Sequence, residues 1–159
     1  MSVNVTLTHQ EMHNAVTMAL QVVYNNTRAG RSHRWGMTSE NTDVWGVNIE
    51  AMLAETALAK HCGVYHHLAP HGDRDKGDVF INGVPHEVRH TKYQNGCLLL
   101  HNGDQQDRKY WLITGAVGVY QIRGWILGAE GMLKKYWSEP QPGRGCYMVP
   151  QDRLSKAMP

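Results

Sequence analysis

The stretch GDVFINGVPHEVRHTK, from Gly77 to Lys92, limits what this chain can fold into more than any other segment. Two apolar runs flank Asn82-Gly83, and Asn-Gly tolerates the positive φ that both central residues of a type I′ turn require. The pattern predicts a hairpin, with one strand over 78–81 and a returning strand over 84–91. On the returning strand the period of two puts Glu87, Arg89 and Thr91 on one face and Val88 and His90 on the other. With this pairing Asp78 comes close to the Glu87 face. Two carboxylates and a guanidinium around one point suit a hard divalent cation and a phosphate. The same side chains also suit a solvated face with a weak cross-strand ion pair.

With 159 residues and 42% hydrophobic content, the chain is long enough for one domain with a substantial core and short for two. Lys and Arg number 16 against 14 Asp and Glu, a net charge of +2 that permits nucleic-acid binding without requiring it. Ten histidines make the surface more basic below neutral pH. Cys62, Cys97 and Cys146 are isolated and odd in number, which argues against a disulfide framework and a zinc ribbon. The N-terminus, MSVNVTLTHQEMHN, lacks a basic region followed by an apolar run, and no apolar stretch is long enough to span a bilayer. The expectation is a soluble protein of a reducing cytoplasm, with no membrane partner.

Thr8-His9-Gln10-Glu11 reads as a capping box, and Met12, Ala15, Val16, Ala19, Val22 and Val23 follow at helical spacing. These residues predict an amphipathic helix over 8–30, closed near Gly30 and packed on the core. Residues 31–43 are polar and irregular. There Arg34 and Trp35 suit either a phosphate contact with a stacked base or a plain surface connection. A second helix is predicted over 44–61, in which Ala51, Met52, Leu58 and Ala59 surround Glu55. A carboxylate on that face either meets a metal, a basic partner or a cleft, or lies at the edge of the apolar stripe in water. Glu50 is the weaker candidate, about 140° around the helix from Glu55. His66, His67 and His71 occupy a loop that Pro70 keeps from being helical, so they read as surface histidines. Further strands are predicted at 97–102, 110–114 and 119–126, giving a central sheet of four to five strands with flanking helices. Lys134-Lys135 followed by Tyr136-Trp137 forms a basic and aromatic segment.

An acidic residue in an apolar helix, an Asp at the start of a strand, and Glu-x-basic on the next strand occur here as Glu55, Asp78 and Glu87 with Arg89. That order resembles the PD-(D/E)XK restriction-endonuclease-like nucleases. The segments IEAMLAETALAK, LLLHNGDQQDRKYWLITG, YQIRGWILGAEG and MVPQDRL also look like small phage and prophage proteins of that superfamily, from residue 44 onward. The resemblance implies a single α/β domain over 1–159 with a restriction-endonuclease-like core at 44–150 and a mixed sheet. It further implies a Mg²⁺ (or Mn²⁺) site at Asp78, Glu87 and Glu55, with Arg89 on the scissile phosphate, and metal-dependent hydrolysis of DNA in a host cytoplasm. The chain departs from the family in carrying Arg89 where Lys is usual; Arg clamps a phosphate but does not act as a base. Lys92 is nearby, on the opposite face by alternation. Arg34, Trp35, Lys92, Lys134 and Lys135 are the expected nucleic-acid contacts. Two other readings remain open: a catalytically inactive nuclease-fold DNA-binding protein, and a phage protein that inhibits a host factor. A homodimer is left open as well.

Overall fold

The computed structural model describes residues 3–31, 43–68 and 77–159. It is a mixed α/β structure with a five-stranded mixed sheet and, among the described residues, three α-helices. The chain begins with an edge strand, β1 (Val3–Thr6), and continues into helix α1 (His9–Arg28). The α1 capping box forms as the sequence predicts: Thr8 Oγ1 accepts from Glu11 N–H, and Glu11 Oε2 accepts from Thr8 N–H. Helix α2 (Val44–Cys62) starts where Asp43 accepts from Gly46 N–H at 2.9 Å, and ends at Gly63 in the left-handed conformation.

The hairpin follows. Strand β2 (Val79–Ile81) turns through Asn82 and Gly83, with φ of 52° and 76°, into β3 (Val84–Thr91). Both angles are those of the type I′ turn that the Asn-Gly pair predicts. After the short β4 (Leu98–Leu100), β5 (Lys109–Ala116) runs parallel to β3, and β6 (Val119–Leu127) returns antiparallel beside it. The order in the large sheet is β1-β6-β5-β3-β2, so β5 is central, which explains why its residues 110–115 are all buried. Helix α3 (Gly128–Gly131) and a 3₁₀ turn (Lys134–Tyr136) lead to β7 (Trp137–Ser138) and β8 (Cys146–Val149), and a last 3₁₀ turn spans Gln151–Arg153. Strands β4, β8 and β7 form a separate three-stranded sheet, which the sequence pattern did not separate from the central one.

Three layers result. Alternate residues of the large sheet, among them Val88, Trp111, Ile113, Tyr120 and Ile122, pack with Ala15 and with Leu53, Ala57 and Leu58 on the helical side. The intervening residues Tyr110, Leu112 and Ile126 pack with Leu98, Leu100 and Val149 of the small sheet. The large sheet thus reaches beyond the expected 44–150 core, since β1 is its edge and Ser155 bridges Trp125. No helix among the described residues is long and apolar enough to cross a membrane.

Glu50 fastens α2 to the β5–β6 turn: its carboxylate accepts from Val117 N–H at 3.1 Å and from Tyr120 Oη–H at 2.6 Å. Replacing it leaves the buried Tyr120 hydroxyl without this acceptor. Glu50→Ala is expected to lower unfolding free energy by about 1–3 kcal/mol in urea titrations, with little change in m-value.

Candidate functional site

β2 is much shorter than β3. Its ladder covers only Val84 to His86, so on that side β3 from Glu87 to Thr91 has no partner strand among the described residues. Asp78, the residue before β2, stands in for the missing rung. Its N–H donates to His86 O at 2.8 Å, and its Oδ2 accepts from Val88 N–H at 2.7 Å. Of the predicted site residues, Glu55, Glu87 and Arg89 join Asp78 around this open edge.

Glu55 reaches it from α2, the helix that packs on β2 and β3. It does not lie in water: its side chain is only 18% exposed, and Oε2 is 3.3 Å from His66 Nε2. Glu87 and Arg89 share the face of β3 that is in register with Tyr110 and Leu112. Glu87 Oε1 accepts from Arg108 at 2.7 Å, while Arg89 lies 3.9 Å from Glu87 Oε2. Arg89 is fixed by Asp104, which accepts from it at 2.9 Å, and by the Tyr110 ring, 5.1 Å beneath its guanidinium.

The electrostatics follow from crowding. Burial first, and the charge of Glu87 second, push the Glu55 carboxyl up to about 8. Burial and the Glu55 charge raise Asp78 to about 7, against the opposing Val88 N–H and Arg89. Burial and the Asp78 charge raise Glu87 to about 7 despite both arginines. Asp104 goes the other way: burial works against its charge, but hydrogen bonds from His101 and the Arg89 cation hold it below the usual carboxylate range. Together Glu55, Asp78, Glu87 and Asp104 face two guanidiniums, Arg89 and Arg108, so full ionisation leaves two negative charges in excess among the described residues. Two protons or one divalent cation would remove that excess.

Hard carboxylate oxygens short of counter-charge fit Mg²⁺ or Mn²⁺ chemically. Their placement is another matter: among the described residues, no three His, Cys, Asp or Glu side chains are gathered as a metal ion would hold them. One Asp78 oxygen serves Val88 N–H and one Glu87 oxygen serves Arg108, so a cation has to compete with both.

The structure corrects and extends the expected site. His66 is not a surface histidine. Its side chain is 8% exposed, its Nδ1 is 3.0 Å from Thr56 Oγ1, and burial lowers it to about 4, so its approach to Glu55 near neutral pH is not an ion pair. His67 is exposed as expected, and His71, Arg34 and Trp35 lie outside the described residues. Lys92 lies just past β3, exposed, 5.4 Å from the Tyr93 ring. Lys134 and Lys135 are exposed on the 3₁₀ turn beside the small sheet, which supplies none of the carboxylates. Asp104, Arg108 and Tyr110 belong to the site, yet the first two read only as a polar connection between the predicted strands 97–102 and 110–114, and Tyr110 only as the start of the second. The one signal that could have found them is the parallel pairing of β5 with β3, a long-range feature with no local mark. No protein family model, curated protein or solved structure matches the chain.

A carboxyl whose folded value is raised holds a proton that the unfolded chain has already lost. The stability tied to these three groups is therefore fully present below about pH 4 and drains away as pH rises through 7 to 8. Thermal melts in metal-free buffer should show the protein less stable at pH 8.5 than at pH 5. Glu55→Gln should flatten that decline by up to about 1.4 kcal/mol per pH unit.

Proposed function

We propose that the protein is a metal-dependent endodeoxyribonuclease with a restriction-endonuclease-like core, in the manner of the PD-(D/E)XK nucleases. The observation that carries the reading is the convergence of Glu55, Asp78 and Glu87 at one open sheet edge, with two guanidiniums against them. In this reading the three carboxylates hold Mg²⁺ or Mn²⁺, which when bound supplies an activated water and neutralises charge on the phosphate. Arg89, held in place by Asp104 and Tyr110, presents a permanent cation to a phosphodiester oxygen. DNA is the partner, and the exposed Lys92, Lys134 and Lys135 add sequence-independent attraction to its backbone.

A second reading, a DNA-binding module without catalysis, is favoured by two specific observations. Arg89 replaces the usual lysine and is engaged by Asp104, and the carboxylates are not gathered around a metal position. Incubation with supercoiled plasmid, in Mg²⁺ or Mn²⁺ against EDTA, separates the two. The nuclease reading expects nicking or linearisation that falls at least about 100-fold in Asp78→Ala and Glu87→Ala. Glu50→Ala, on the far side of α2, should keep cleavage while it folds. Salt-sensitive DNA binding in EDTA without cleavage in any ion would leave the binding module standing instead.

A further inference from the structure

The residue nearest Glu87 is neither a carboxylate nor the motif cation Arg89. Arg108 immediately precedes β5, and its backbone carbonyl accepts from Gly128 N–H at 2.7 Å, which anchors the residue at the strand end. Its side chain is 10% exposed, and its NH1 lies 2.7 Å from Glu87 Oε1. On its other side the same nitrogen lies against the chain at Gly77. A Cβ added there would stand 3.0 Å from NH1 and 2.7 Å from Pro85 Cβ. Gly77 also has φ of 83°, so the position is suited to glycine on two counts. The guanidinium thus lies against both the chain at Gly77 and the Glu87 carboxylate, on an oxygen that a cation held by Glu87 would need.

We infer that Arg108 is the internal counter-cation of this site and competes with a divalent ion for Glu87. Glu87 would hold a divalent ion only by giving up its bond to Arg108 NH1, and that nitrogen could then turn to a phosphate oxygen of the DNA. This accounts for carboxylates that have metal-binding chemistry and yet are not gathered: the protein supplies its own cation in the resting state. The inference rests on the metal-dependent reading above.

The test measures Mn²⁺ binding to the full-length protein by titration calorimetry at pH 7.5, alongside plasmid cleavage at saturating Mn²⁺, with folding followed by circular dichroism. Arg108→Gln removes the competitor and a phosphate partner together. It should bind Mn²⁺ about 10-fold tighter, the equivalent of losing one charge-assisted hydrogen bond, and cleave at least about 10-fold more slowly. A merely structural arginine does not give this opposite movement. If Arg108→Gln does not fold, Arg108→Lys decides: its single ammonium holds Glu87 less well, and Mn²⁺ affinity should rise by about threefold. Unchanged or weaker Mn²⁺ binding in a folded variant overturns the inference, as does tighter binding with undiminished cleavage. A wild-type protein that binds and cleaves while the variants lose affinity overturns it alone. A wild type that neither binds Mn²⁺ nor cleaves overturns the nuclease reading as well, and the inference falls with it.

Discussion

Burial of three neighbouring carboxyl groups is the constraint to which this end of the molecule answers. Loss of hydration makes Glu55, Asp78 and Glu87 hard to ionise, and the charge of a neighbouring acid adds to the effect. A fold tolerates such a group only if something holds it together. Here three devices do so: a ladder N–H for Asp78, a guanidinium for Glu87, and a buried imidazole beside Glu55. Arg89 is in turn balanced by Asp104. Each acid has a partner, yet among the described residues the charges do not sum to zero.

The rest of the structure makes that imbalance affordable. The apolar contacts between α1, α2 and one face of the large sheet, Val79, Ile81 and Val88 included, and between the other face and the small sheet, supply the scaffold. The acids sit beside that core, where β2 ends early. This is the ordinary division between a scaffold that supplies stability and a site that spends some of it. Glu50 illustrates the difference on a single helix. It is a carboxylate too, but it accepts from a backbone N–H and a tyrosine hydroxyl and belongs to the scaffold.

What could be read from the sequence was whatever depends on near neighbours. Thr8 with Glu11 marks the start of α1 because a capping box needs only four residues. Asn82-Gly83 marks the hairpin because a turn needs only two. Glu55 was visible as a carboxylate among alanines and leucines, and Glu87 with Arg89 as a period of two. Hidden were the features set by distant parts of the chain. The small sheet joins Leu98–Leu100 to Cys146–Val149, and the parallel contact of β5 with β3 carries Asp104 and Arg108 to the acids. His66 was misjudged for the same reason: its loop has no periodicity, and its burial comes from folding back on Thr56 and Glu55.

Arg89 bears on which reading of the site is chemically coherent. A lysine in its place could lose a proton and help to activate water; an arginine ion-paired to Asp104 cannot. The excess of negative charge among the described residues is then left for protons or a cation to meet. If protons meet it, Glu55 and its neighbours are neutral acids near pH 7, and the edge is a polar surface beside two arginines, suited to holding a phosphate backbone. If a divalent ion met it, the acids would be its ionised ligands, and the ion would supply the means of activating water. The same four carboxyl groups and two guanidiniums support both states. What separates a binding module from a hydrolase is therefore the occupant of the charge deficit, more than the identity of residue 89.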